Sequence, residues 1–168
     1  QDENFITFNT LEGYLETIKD YINIPNDKFK DISLDLKQQV NNGTIQMESE
    51  LYNHIRPKGA ISKDIRPYNQ LKENGIEYLE IRSIDLNPYS SIGISMEDIE
   101  FLELVSLYCA LSDAPKINDV ESLCIKENIR RSSESGQNCN FISSLDGDKA
   151  EAPADVITNS FLGELEDF

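Results

Sequence analysis

Tryptophan is absent from this sequence, histidine occurs once, and the three cysteines, Cys109, Cys124 and Cys139, form no Cys-x-x-Cys pair. With His54 as the single imidazole, the ligand sets of zinc fingers and of histidine-rich metal centres are excluded. His54 itself reads as a loop residue. An odd number of thiols argues against a disulfide framework and for a reducing compartment. No basic-then-apolar leader opens the chain, and the longest apolar stretch, Phe101 to Leu111, is interrupted by Glu103 and Ser106. That falls far short of the roughly 20 residues of a membrane span, so a cytoplasmic chain without membrane binding is expected. The common phosphate cradles, the Walker loop and G-x-G-x-x-G, are missing as well.

Positive charge is also scarce. Fifteen Lys and Arg stand against 31 Asp and Glu, a net charge of −16. A field of that sign repels phosphodiester backbones and anionic lipid heads, which excludes sequence-independent nucleic-acid binding. Against this background Arg56, Lys58, Lys63, Arg66 and Lys72 stand close together with Asp64 as the one acid among them. Such a stretch either neutralises acidic neighbours or receives a polyphosphate.

At 168 residues with 39% hydrophobic side chains, the chain is long enough for one packed core. Leu11, Tyr14, Leu15, Ile18, Tyr21 and Ile22 follow helical spacing after a cap at Asn9, and Ile24-Pro25-Asn26 ends that helix. The segment 27–42 is ambiguous. Asn42-Gly43 signals a turn, after which Thr44 to Tyr52 alternates as a strand. A loop is expected from Asn53 to Ile65, then a short helix from Pro67 closed by Asn74-Gly75. Ile76 to Leu86 reads as the clearest strand. Ser95 with Asp98 opens a helix over Met96–Ser112 that is apolar on nearly every side and is therefore expected to be the most buried. A further helix is expected over Asn118–Arg131 and a terminal one from Ala154, with residues 132–153 irregular between them. Together these patterns predict an α/β (α+β) chain.

The chemistry sits on the clearest strand. Alternate residues share a face, so Glu80 and Arg82 project together, their Cα atoms roughly 6.6–7 Å apart. Charges embedded in an apolar strand need partners. Two readings stay open: a structural ion pair on a wet sheet face, or a face where Glu80 binds a cation and Arg82 holds an anion. If Thr44–Tyr52 joins the same sheet, Gln46, Glu48, Glu50 and Tyr52 share one face of it. Carboxylates so gathered suit Mg²⁺ or Mn²⁺.

Two segments carry a family resemblance. Ile45-Gln-Met-Glu-Ser-Glu-Leu-Tyr-Asn-His-Ile-Arg-Pro-Lys58 resembles the part of glutamate–cysteine ligase that ends in Ile-Arg-Pro-Lys. Gly75-Ile-Glu-Tyr-Leu-Glu-Ile-Arg-Ser-Ile-Asp-Leu-Asn-Pro88 resembles that family's Glu-x-Arg strand and the Asp-x-Asn-Pro after it. The form resembled is the gamma-proteobacterial one, and the similarity runs from about residue 5 to 131. By this resemblance residues 1–168 are a middle section of the catalytic domain, lacking the strands that carry most of the metal-binding carboxylates.

The resemblance implies an antiparallel sheet with packed helices, similar to the catalytic fold of glutamine synthetase. It implies a reaction that joins the γ-carboxyl of L-glutamate to L-cysteine with ATP and Mg²⁺ (or Mn²⁺), through a γ-glutamyl phosphate. It also implies roles: Glu80 as a metal ligand, Arg82 at the transferring phosphoryl group, Tyr52 in the cysteine pocket, and Arg56 and Lys58 as candidate phosphate contacts. The remainder of the enzyme is then a required partner and the isolated chain is expected to be inactive. The alternatives are a non-catalytic remnant that binds metal or a partner protein, and amide ligation with another amino acid.

Overall fold

A computed structural model describes residues 6–32, 39–60, 64–145 and 148–168, and the chain divides into two compact units, Gln1–Asp85 and Leu86–Phe168. Both mix helices with a small antiparallel sheet, which is the expected class. Among the described residues no helix is long and apolar enough to cross a membrane.

The first unit is built on α1 (Leu11–Asn23), whose face Tyr14, Leu15 and Ile18 is buried together with Leu51 and Leu71. The helix start differs by one residue from expectation. Thr10, not Asn9, caps it, its hydroxyl accepting the Gly13 amide at 3.0 Å. After α1 the chain turns back on itself, with an antiparallel bridge between Pro25 and Gly43. A Cβ at Gly43 would lie 1.8 Å from the Ile22 carbonyl oxygen, so this close approach admits glycine alone.

Two expectations fail in the next segment. Thr44 to Tyr52 is not a strand: it is a bent connection that ends in a 3-10 turn, Glu48–Glu50. Its polar alternation is spent on local bonds, the Gln46 amide donating to Glu50 and the Gln46 side chain capping Val40 and Asn41. The strand lies instead where a loop was expected, as β1 (Ile55–Lys58). It pairs antiparallel with β2 (Tyr78–Ile81), Arg56 opposite Glu80 and Pro57 opposite Leu79. The Arg82 amide extends the ladder to the His54 carbonyl. Counting from that bond, Pro57 falls at a non-hydrogen-bonded position, where its missing N–H costs no ladder bond. Between the strands, α2 (Pro67–Asn74) ends at Gly75 with φ of 77°, as its sequence signals required. Lys63, like residues 33–38 of the ambiguous segment, lies outside the described residues.

The second unit begins with a hydrogen-bonded loop. Asn87 bonds to Asp98, and Ser95 with Asp98 forms a capping box at the start of α3 (Met96–Leu111). The expected burial of α3 is overturned, since none of its residues is buried. A helix apolar on every side needs partners on every side. Among the described residues of this unit, α5 (Ala154–Asp167) supplies one, through Tyr108 against Phe161 and Phe168. The expected irregular segment is also overturned. The helix α4 (Asp119–Ser135) runs on past Arg131, and β3 (Asn140–Leu145) pairs with β4 (Asp148–Pro153) as a hairpin. What the polar composition concealed is side-chain support, because Asn128 bonds both the amide and the carbonyl of Ile142.

Candidate functional site

The β1–β2 ribbon sorts its side chains by face. Directly opposed residues of an antiparallel pair share a face, as do residues two apart. Arg56, Lys58, Tyr78 and Glu80 therefore stand on one side, with Arg82 continuing it beyond the strand end, and Ile55, Pro57, Leu79 and Ile81 on the other. The register thus gathers three cations around one carboxylate.

Glu80 is the centre of this set. Its Oε2 lies 3.1 Å from the Lys58 Nζ and its Oε1 lies 3.8 Å from the Arg82 Nε. Oε2 is shielded from solvent, and the Lys58 ammonium is the group set against it. The Lys58 ammonium, and after it the Arg82 and Arg56 charges, hold the Glu80 carboxyl below its usual range against the opposing effect of partial desolvation. Glu80 is therefore an anion at neutral pH.

The cations are held in different ways. The Arg82 guanidinium lies over the Tyr52 ring, 5.1 Å from its centroid, and Tyr52 meets His54 edge-on at 6.4 Å. Stacking of this kind fixes the plane of the guanidinium without using up its donors. Tyr52 remains 67% exposed, so the other face of its ring is open. Arg56 turns away from the carboxylate and donates to the Ser49 and Leu51 carbonyls, tying the 3-10 turn that positions Tyr52 to β1. Lys58 reaches Glu80 from the far end of β1 and also borders a cleft of about 600 Å³ lined by Asp64, Arg66, Gln70 and Tyr78 among others.

Glu80, Arg82 and Tyr52 thus come together, as the strand periodicity predicted for the first two. Glu48 and Glu50 do not join them on a common sheet, because their segment is not a strand. The Lys58–Glu80 pair was not foreseen, although Arg56 and Lys58 alternate with Ile55 and Pro57 as strand residues do. Proline in the run hid the signal. Among the described residues there is no group of three or more His, Cys, Asp and Glu side chains able to hold a metal ion. Glu80, with Lys58 and Arg82 against its carboxylate, does not make a cation site by itself.

Comparison with known proteins agrees with the resemblance. The family model for glutamate-cysteine ligase matches residues 1–132. The glutamate–cysteine ligase of Alcanivorax borkumensis is 36% identical over 141 residues, covering 79% of this chain and 27% of the relative. That of Wigglesworthia glossinidia brevipalpis is 40% identical over 129 residues, covering 75% of this chain and 26% of the relative. The chain therefore spans about a quarter of the length of these relatives. Among solved structures, the glutamate–cysteine ligase of Francisella tularensis in complex with AMP superposes with a TM-score of 0.86 at 24% identity. That match covers 98% of this chain and 34% of the other, and at this identity it speaks for the fold.

Proposed function

The chain belongs to the glutamate–cysteine ligase family, and from that premise we propose that it is part of an enzyme making γ-glutamylcysteine from L-glutamate, L-cysteine and ATP. In this reading the γ-carboxylate oxygen of glutamate attacks the terminal phosphorus of ATP and ADP departs. The cysteine amine then attacks the acyl phosphate carbon, and inorganic phosphate leaves. The product is the first intermediate of glutathione synthesis.

The observation that carries the reading is the Glu80 carboxylate gathered with Lys58 and Arg82 on one face of the ribbon, with the Arg82 guanidinium over the Tyr52 ring. By the family resemblance Glu80 would be one ligand of a hard divalent cation such as Mg²⁺, which would screen phosphate charge when bound. The remaining ligands come from outside this chain, and residues 1–168 are one portion of a single catalytic domain. Arg82, oriented by the Tyr52 ring, meets the negative charge that develops on the phosphoryl group. The open face of Tyr52 lines the pocket for the cysteine substrate. Lys58, beside Arg66 at the cleft, meets the nucleotide phosphates, and Arg56 supports the site through the turn it pins. Nucleotide binding here draws on the AMP held by the Francisella tularensis enzyme. All three cysteines are free thiols, in keeping with the cytoplasm.

The test is γ-glutamylcysteine formation by the full gene product with glutamate, cysteine, ATP and Mg²⁺, compared with its Glu80→Gln variant. Product from the unmodified protein, lost in the variant with circular dichroism unchanged, is the expected result. A folded protein that makes none is a non-catalytic remnant, and one that prefers another amino acid to cysteine is a different amide ligase.

A further inference from the structure

Arg56 stands directly opposite Glu80 in the ribbon, the register position from which a guanidinium most readily meets a carboxylate. It leaves that carboxylate to Lys58 and Arg82. Its Nη2 donates instead to two neutral acceptors in the preceding connection, the Ser49 carbonyl at 3.3 Å and the Leu51 carbonyl by a shorter bond. The two hydrogens leave one planar nitrogen in fixed directions, so both carbonyls are held at once. A cation spent this way beside an available anion serves geometry more than charge.

The geometry it serves is that of Tyr52. The two carbonyls belong to the 3-10 turn Glu48–Glu50 and to the residue that closes it. Leu51 is buried with Tyr14, Leu15 and Ile18 of α1, so the turn is seated by that side chain on one side and by Arg56 on the other. Tyr52 has no such seat. It is largely exposed, and among the described residues no hydrogen bond holds its hydroxyl. The ring is therefore placed by its backbone, between Leu51 and the His54 carbonyl that accepts the Arg82 amide at 2.8 Å. A turn that slackens lets the ring swing, and the Arg82 guanidinium stacked on it loses its plane.

We infer that Arg56 is a positioning residue for the Tyr52–Arg82 pair: it fixes the turn, the turn fixes the ring, and the ring orients the guanidinium. The inference rests on the ligase reading, in which Tyr52 lines the cysteine pocket and Arg82 meets the phosphoryl group. One residue that touches neither substrate then governs both. Its charge is the lesser part, because the Glu80 carboxyl is lowered first by Lys58, and Arg56 comes after Arg82.

The experiment is steady-state kinetics of γ-glutamylcysteine formation by the full gene product carrying Arg56→Lys or Arg56→Gly. Arg56→Lys keeps the charge and loses the planar donor group. It should raise KM for cysteine and lower kcat, each about tenfold, well inside the 10² that a displacement of about 1 Å can cost. KM for ATP should stay within about twofold, since Lys58 and Arg66 hold the nucleotide in this reading. In Arg56→Gly, guanidinium ion at a non-denaturing concentration should restore part of kcat, and methylammonium, of equal charge, should not. The Arg82 Nε–H resonance, shifted by the Tyr52 ring in the unmodified protein, should move toward its free position in Arg56→Lys. In the unmodified protein the Arg56 Nη2 protons should also exchange slowly with water and rotate slowly, whether or not the variants fold. Freely rotating Nη2 protons overturn the positioning role. So does an Arg56→Lys variant with wild-type kinetics, which would make charge sufficient, or one in which every KM worsens alike, which would make Arg56 a general brace. If the unmodified protein makes no γ-glutamylcysteine while the Arg82 resonance still moves in Arg56→Lys, the ligase reading fails and the hold of Arg56 on Arg82 stands.

Discussion

Two clusters of charge, one in each unit, show how similar residues reach opposite ends. In the second unit Arg130 and Arg131 face Glu127, Glu134 and Glu151, and every pair is closed by aligned hydrogen bonds, such as Arg130 to Glu127 at 2.8 and 2.7 Å. Arg131 also caps the Asn140 carbonyl, so the network fastens α4 to the hairpin. In the first unit Lys58 and Arg82 share the single carboxylate of Glu80 over longer contacts, 3.1 and 3.8 Å. The first arrangement has no vacancy for a ligand. The second has more cations than carboxylates, which is the condition of a binding site more than of a structural brace.

The largest effect should come from separating the first cluster from the rest of its enzyme. The chain spans about a quarter of its relatives, and in the proposed reading Glu80 is one cation ligand among several. Without the remaining ligands the site loses several kcal/mol of charge stabilisation, about a thousandfold or more in rate. The purified 168-residue chain is therefore expected to form γ-glutamylcysteine at least about a thousandfold more slowly than the full gene product. Turnover near that of the full protein would mean that the open cluster is complete as it stands.

Next in size, Arg82→Ala in the full gene product should lower kcat by about 10²–10³, the usual loss of one preorganised charge at a reacting group. Arg131→Ala should leave kcat within about twofold while lowering the melting temperature. Steady-state kinetics and thermal unfolding of the two variants side by side check the contrast. Equal losses of activity would abolish the distinction between a binding cluster and a brace.

How far this contrast was legible in the sequence depends on what each element asks of its residues. Capping and breaking are local, so α2 with its Pro67 and Gly75 and α3 with Ser95 and Asp98 could be read directly, while the strand expected over Ile76–Leu86 is only its middle, Tyr78–Ile81, with Arg82 just beyond it. Sheet partnership is not local. Period two over Thr44–Tyr52 fits a strand equally well as a turn whose polar side chains bond their own backbone, and Gln46 and Glu50 chose the latter. Pro57 disguised the true partner, although proline is tolerated at such an edge position. The hairpin after Arg131 was missed because Ser, Asn and Gly read as irregular, while its support comes from Asn128, twelve residues before β3 begins. The burial expected of α3 failed for a different reason: apolar sequence states a demand for partners and not their presence.

A smaller effect isolates that support. Asn128 bonds the Ile142 amide at 2.7 Å and its carbonyl at 2.8 Å, acting as one more strand beside β3. Asn128→Ala would leave both backbone groups without these partners and should cost about 1–3 kcal/mol. In a domain of this size that is a fall of several degrees in melting temperature. Hydrogen exchange at the Ile142 amide should quicken with it, and unchanged protection would show that the hairpin stands without α4.

The smallest effect is a pH dependence that the closed cluster alone should show. Hydrogen bonds from Arg130 and Arg131 lower the Glu127 carboxyl from its ordinary 4.5 to about 2. A carboxyl whose pKa is depressed on folding adds stability that is fully present above the unfolded value and is lost as pH falls through the folded one. The contribution of Glu127 should therefore be constant from neutrality down to about 4.5 and fade between there and about 2. Because the group is solvent-facing, salt should shrink it throughout. The measurement is the difference in melting temperature between the wild type and Glu127→Gln, followed from pH 7 to pH 2 at low and high ionic strength. The wild type should lead at pH 7, and its lead should close below pH 4.5. Glu80→Gln is the instructive partner. Its carboxyl is also lowered, by the Lys58 ammonium across the ribbon, but the two strands it links are already joined by their backbone ladder. Its substitution should move the melting temperature less than Glu127→Gln does. If Glu80→Gln proved the more destabilising of the two, the open cluster would be the brace and the closed one the ornament.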